Sequence, residues 1–173
     1  MGTQPRRVTI CLAAALSSLA LVASAWAQPV EPTPDHVLDV LTFNAALLPE
    51  LAASTQQSER AARMAPNLVG YDVLVLQELF INRHREALLA ELAGAYPHRS
   101  ALVGSDGARN LPWRQDGGTV ILSRWPIERE AQLLFGDVCS GSDCLADKGV
   151  AYAAVRKGTR VYHVFTTHAQ SVY

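Results

Sequence analysis

The amino-acid sequence predicts an α/β fold built as one domain, and three observations carry that prediction. Apolar runs of strand length recur between residues 36 and 168, and two stretches with helical spacing lie among the early ones. The first strand, first helix and second strand follow in an order that favours parallel neighbours, with the helix laid over one sheet face. The run Asp72 to Phe80, DVLVLQELF, is rich enough in Val and Leu for a strand buried on both faces, and it passes abruptly into Gln77 and Glu78.

Taken in order, Met1 to Ala27 carries Arg6 and Arg7, then an apolar segment from Val8 to Ala25, then Ala25-Trp26-Ala27. That is the three-part layout of a secretory signal peptide. An uncleaved membrane anchor is the competing reading, because the segment is nearly long enough to span a bilayer. Its Ala and Ser content and its small-x-small ending favour cleavage near Ala27. Cys11 follows Thr9 and Ile10 rather than small residues, which argues against a lipoprotein anchor. Residues 28–35, with three prolines, read as an extended leader, and residues 36–173 as the domain. Two of the 15 Lys and Arg and none of the 16 Asp and Glu precede Gln28, so residues 28–173 carry a formal charge of −3. That mildly acidic balance lacks the electrostatic footprint of a dedicated nucleic-acid binder.

His36 to Asn44 is the first strand, and Ala45 to Pro49 the loop leaving its carboxyl end. Ser54 with Gln57 three residues later is a helix-start signal. Ala61, Ala62, Met64, Ala65 and Leu68 continue a helical face, Pro66 disturbs it and Gly70 closes it. After the strand at 72–80, Asn82 can cap a second helix that carries Leu88, Leu89 and Leu92 and ends at Gly94. His84, among Arg83, Arg85 and Glu86, reads as part of a solvated charged face. Arg99 to Val103 is a short strand, Gly104 to Gly117 a polar loop of functional length, and Gly118 to Ser123 a strand halted by Trp125-Pro126. Val150 to Val155 and Val161 to Thr167 are two more, joined by a hairpin turn over Arg156 to Arg160, and His168 closes the last. Cys139 and Cys144, an even pair in an exported chain, favour a disulfide. A metal pair is the poorer reading, since no other Cys or close His completes a tetrahedral set.

Asn44, Glu78 and His168 therefore end three different strands. Taken alone, Glu78 reads as the first solvated residue after a core strand. Open α/β sheets place ligands at the carboxyl ends of their strands, however, and three such donors can converge on one site. An oxygen donor there suits a hard cation such as Mg²⁺. The set as a whole suits hydrolysis of a phosphate ester, with His168 donating a hydrogen bond to charge developing on phosphorus.

In order along the chain stand LTFNAALLP at Leu41 to Pro49, YDVLVLQELF, YPHRSALVG, DGGTVILSRWPI from Asp116, DKGVAY from Asp147 and THAQ at Thr167 to Gln170. This ordered set resembles the endonuclease/exonuclease/phosphatase superfamily, and within it the secreted bacterial neutral sphingomyelinases (sphingomyelinase C). The resemblance implies a portion of a four-layered α/β/β/α sandwich of the DNase I-like type. It implies a secreted, metal-dependent phosphodiesterase that hydrolyses sphingomyelin to ceramide and phosphocholine. The partner would be sphingomyelin or a related phospholipid at a membrane surface, the cofactor Mg²⁺ or another divalent cation, with no stable protein partner. By the same resemblance Glu78 matches the metal ligand, Asn44 the asparagine beside metal and phosphate, and His168 the histidine that steadies the phosphate in the transition state. Lys148 and Tyr152 are assigned to loop structure.

Two alternatives stand beside it: a secreted Mg²⁺-dependent nuclease of the same superfamily, nucleic acid being the less favoured partner, and a non-catalytic remnant. This sequence departs from the family pattern at Thr166, where the family has Asn, and at Ala169, where it has Leu. Family members continue with an Asp-x-Asn motif and a late Asp-His pair whose histidine is the general base, and none of His36, His84, His98 and His163 matches it. The expectation is a chain whose C-terminal strands are missing, with exposed sheet faces and edges and little or no activity of its own.

Overall fold

The computed structural model describes residues 33–48, 56–104, 115–136 and 138–169. The N-terminal segment read as a signal peptide, with Cys11, the leader before Thr33, Ser54, the middle of the 104–117 loop and Gln170 lie outside the described residues. The elements are β1 (Val40–Leu47), α1 (Gln57–Met64), β2 (Val73–Leu79), α2 (Asn82–Leu92), β3 (His98–Arg99), β4 (Val120–Ser123), β5 (Ile127–Leu134), β6 (Gly149–Lys157) and β7 (Arg160–Thr167). They form a four-stranded sheet in the order β1-β2-β4-β3 and a three-stranded sheet in the order β5-β6-β7. As the sequence predicts, β1 and β2 are parallel with α1 between them, and β6 and β7 form an antiparallel hairpin.

Alternation along β2 and β4 explains the layering. Leu74, Leu76, Val120 and Leu122 face α1 and α2, packing with Ala61, Leu88 and Leu92. Val73, Val75 and Ile121 face the other way, onto Ala151, Ala153 and Val155 of β6. With both faces covered, β2 has no place for a polar residue until it reaches Gln77. The outer face of the second sheet is bare among the described residues: Leu133 is 68% and Phe165 67% exposed. Tyr152 lies between them, its ring 4.9 Å from that of Phe165. The described layers are thus α/β/β.

Several elements differ from expectation. Ala45 and Leu47, placed in a loop by the sequence, belong to β1 and are fully buried. Strand β5 was not foreseen; as the edge of its sheet it exposes Glu128, Arg129 and Glu130 and so lacks an apolar run. Asn82 does not cap α2, whose N-cap is Ile81; its Oδ1 accepts from Arg85 Nη2 at 2.8 Å. His84 and Arg85 are buried rather than solvated, at 4% and 6% exposure. Pro66 acts as expected, turning the end of α1 into a 3-10 turn, Ala65–Asn67. Cys139 and Cys144 form a disulfide across the 3-10 helix Gly141–Leu145, with Cα atoms 5.1 Å apart.

Lys157 is the sharpest correction. Read as part of a hairpin turn, it is the last residue of β6 and wholly buried, while the turn itself falls on Gly158, at φ +55, and Thr159. Lys157 Nζ donates to Asp72 Oδ2 at 2.8 Å, to Val37 O at 2.8 Å and to Thr33 Oγ1, and lies 5.6 Å from the centre of the Trp125 ring. Asp72 also accepts from Thr33 Oγ1 (2.7 Å), Asp39 N (3.0 Å) and Trp125 Nε1 (2.8 Å). This buried pair ties the start of β2 to the end of β6, and so one sheet to the other, at the end opposite the strand termini discussed next.

Candidate active site

At the carboxyl end of β2 the backbone turns sharply. Glu78 has φ 58, in the left-handed region. A non-glycine residue held there costs on the order of 1–3 kcal/mol, and such strain clusters at functional sites. The neighbouring strand is irregular at the same level. Asn44 pairs with Gln77 and Leu47 with Leu79, so two residues of β1, Ala45 and Ala46, stand opposite Glu78 alone. Ala46 is also left-handed, at φ 48. The bulge lets Leu47 and Leu79 return to the core while the Glu78 carboxylate leaves the sheet.

The hairpin β6–β7 delivers His168 to the same place. Its Nε2 lies 3.2 Å from Glu78 Oε1, with 23% of the His168 side chain and 19% of the Glu78 side chain exposed. Thr167 anchors the strand end by donating from Oγ1 to Gly149 O at 2.9 Å. Asn44 is exposed and lies beside Gln77, one residue before Glu78 in register. Its Oδ1 accepts from Ala46 N at 2.9 Å and thereby braces the bulge, while that oxygen keeps a second lone pair for a ligand. Of the three residues read as strand ends, then, Glu78 and His168 meet directly, whereas Asn44 does not end its strand but lies inside β1, which runs on to Leu47.

Two arginines behind these residues were missed by sequence reasoning. Arg60 of α1 donates from Nη1 to Ala46 O (3.1 Å) and from Nη2 to Ala45 O (3.0 Å), holding the two bulge carbonyls. Arg85 of α2 donates from Nη1 to Leu79 O at 3.0 Å and pairs with Asp116 at 2.9 Å. A signal for Arg85 existed: with Leu88, Leu89 and Leu92 it falls on one helical stripe, i, i+3, i+4 and i+7, so it points inward with them. The DKG segment is buried. Asp147 and Lys148 are 6% and 7% exposed, and Asp147 N donates to Gln115 O at 2.9 Å.

Among the described residues no group of three or more His, Cys, Asp and Glu gathers into a metal cluster. The donors present, one outward carboxylate and one amide oxygen, fit a Mg²⁺ ion of the kind that keeps several waters and takes further oxygens from a substrate phosphate. They do not fit a closed structural zinc site.

Residues 41–170 match the model of the endonuclease/exonuclease/phosphatase family. The chain is 33% identical over 149 residues to a sphingomyelinase C of Bacillus cereus, an alignment covering 79% of this chain and 44% of that protein. It is 35% identical over 147 residues to sphingomyelinase C 2 of Leptospira interrogans, covering 78% of this chain and 24% of the relative. Among solved structures, sphingomyelinase C from Streptomyces griseocarneus aligns with a TM-score of 0.70 at 37% identity, over 82% of this chain and 51% of that one. A Staphylococcus aureus beta toxin with bound magnesium ions aligns with a TM-score of 0.71 at 25% identity, over 78% and 50%. The chain thus spans less than half the length of these curated relatives and about half that of the solved ones.

Proposed function

The chain belongs to the endonuclease/exonuclease/phosphatase family, and from that premise we propose that it supplies the N-terminal part of the active site of an exported, metal-dependent phosphodiesterase that cleaves sphingomyelin into ceramide and phosphocholine. One observation carries the reading: a strained left-handed residue lifts the Glu78 carboxylate out of a buried strand and sets it 3.2 Å from His168. An ordinary solvated strand end gains nothing from that strain, whereas a ligand held in a fixed direction does. The similarity to sphingomyelinases C from several bacteria supports a lipid rather than a nucleic-acid substrate, and the acidic charge after residue 27 supports it too. The apolar segment at Val8 to Ala25 supports export, with cleavage near Ala27.

In this reading Glu78 binds Mg²⁺ with Asn44 beside it, and the ion, when bound, supplies charge stabilisation at a phosphoryl oxygen. Glu78 fixes where the phosphate sits. His168, with Nε2 facing the same point, donates a hydrogen bond to the non-bridging oxygen as charge develops there. The Asn44 side-chain NH₂ is a second donor toward the phosphate, while its carbonyl oxygen, accepting from Ala46 N, keeps its other lone pair for the ion.

The test is Mg²⁺-dependent release of phosphocholine from sphingomyelin vesicles by the product of the full reading frame. Glu78→Gln and His168→Ala should each lower kcat by about 10² or more, the usual scale for a lost catalytic donor. Nicking of plasmid DNA without phosphocholine release would overturn the lipid assignment in favour of a nuclease.

A further inference from the structure

The left-handed turn at Glu78 must be held by something, because relaxation to the extended form would swing the carboxylate toward the opposite sheet face. The residue that follows Glu78 is gripped at both of its backbone polar groups. Leu79 N donates to Gly118 O at 3.0 Å, and Leu79 O accepts from Arg85 Nη1 at 3.0 Å. These two anchors are themselves joined through Asp116. Its Oδ1 and Oδ2 accept from Arg85 Nη1 at 3.1 and 2.9 Å, and Oδ1 also accepts from Gly118 N at 3.0 Å. Arg85 Nη2 is tied to Asn82 Oδ1 at 2.8 Å. Leu79, Arg85, Asp116 and Gly118 close a ring of hydrogen bonds immediately behind the carboxylate.

We propose that Arg85, countered by Asp116, is the positioning residue for Glu78: its guanidinium fixes the Leu79 carbonyl, while Gly118 holds the Leu79 N–H, and so it helps fix the direction in which the metal ligand leaves β2. The proposal rests on the reading of Glu78 as a metal ligand given above. Three features point to positioning rather than to general support. The arginine side chain is only 8% exposed, and a buried guanidinium is tolerated only where its donors are matched, as they are here by one carbonyl, two carboxylates (Asp116 and Glu86) and one amide oxygen. The contact is made to the residue directly after the strained one. Gly118 approaches so closely that a Cβ would lie 2.8 Å from Leu79 N, which reserves the ring for a backbone without a side chain at that point. Lysine could keep the charge but not the planar fork that reaches Leu79 O and Asn82 Oδ1 together.

The experiment uses the full chain with Mn²⁺ as the probe, its free concentration read by electron paramagnetic resonance, alongside thermal melting. Arg85→Met is expected to weaken Mn²⁺ binding tenfold or more, the scale usual for partners that orient a metal ligand, with Arg85→Lys recovering only part. In the Glu78→Gln background the same Arg85→Met change should leave residual Mn²⁺ binding unaltered while lowering the melting temperature as it does in the parent. A purely structural role would lower both melting temperatures without touching Mn²⁺ affinity. Affinity within twofold of the parent in Arg85→Met overturns the proposal; if that variant does not fold, Asp116→Asn carries the same expectation and the same refutation. A parent chain that binds no Mn²⁺, or a Glu78→Gln variant that binds as tightly as the parent, overturns the metal-ligand reading first and this one with it.

Discussion

Replacing Lys157 by methionine is expected to destabilise the fold by about 3–5 kcal/mol, the cost of leaving the partner of a buried ion pair uncompensated. The structure gives the reasons for that size. Lys157 and Asp72 side chains are 1% and 2% exposed, so neither charge can turn to water when the other is removed. Methionine fills much of the volume over Trp125, which confines the loss to the charge and its hydrogen bonds. The pair also has a signature in acid. Burial pushes the Asp72 carboxyl up, but hydrogen bonds from Lys157, the Asp39 N–H, Trp125 and Thr33 outweigh it and pull the pKa down from 3.8 to about 2. A carboxyl depressed on folding contributes stability above its unfolded pKa and loses it as pH falls through the folded one. Asp72 alone therefore contributes about 2 kcal/mol above pH 4, lost progressively between about pH 4 and pH 2. Urea denaturation of parent and variant at pH 7 and through the acid range reads both effects. The variant should unfold at lower urea at pH 7, and the gap to the parent should narrow as pH approaches 2. A loss under about 1 kcal/mol at pH 7, or a gap that does not change with pH, would refute the reasoning.

Glu78→Gly should raise the melting temperature, by about 1 kcal/mol of added stability once strain relief is set against the greater freedom of an unfolded glycine, while abolishing Mn²⁺ binding; a lower melting temperature would mean that the carboxylate carries its own strain. Gly118→Ala should cost about 1–3 kcal/mol in urea denaturation, since the backbone is at φ +60 and the new methyl meets Leu79 N. Leu133→Lys with Phe165→Lys should reduce self-association in sedimentation at unchanged melting temperature, because both side chains lie on the bare outer face of the second sheet.

What the sequence made legible, and what it hid, follows from burial on one face or two. The β2 strand was readable because both its faces are covered, which leaves an unbroken run of Val and Leu. The β6–β7 hairpin announced itself through β-branched residues around Gly158. Edge strand β5 had no such pattern, since only its inner side meets the core and its outer positions carry charge. Glu78 was conspicuous as a charged residue near the end of a buried run and His168 as the residue after β7, whereas Asn44, read as a strand end, lies inside β1. Their support was not conspicuous. Arg60, Arg85 and Lys157 look like solvent-seeking residues in a linear sequence, and only the positions of Ala45, Leu79 and Asp72 in space give their donors something to hold. The bulge opposite Glu78 was hidden for a similar reason: two alanines carry no sign that one of them must adopt a left-handed backbone.

Asp72 and Lys157 also set an order of assembly. They are 85 residues apart in the chain, and Thr33, which completes their cluster, is 124 residues from Lys157. The carboxylate and its cation come from distant parts of the domain, so β2 and its helices can pack while the Asp72 charge is still hydrated. Closing so long a loop belongs to the last stage of folding, after the first sheet is built. The pair then acts as a latch rather than a nucleus, slowing escape from the finished fold far more than it hastens arrival there.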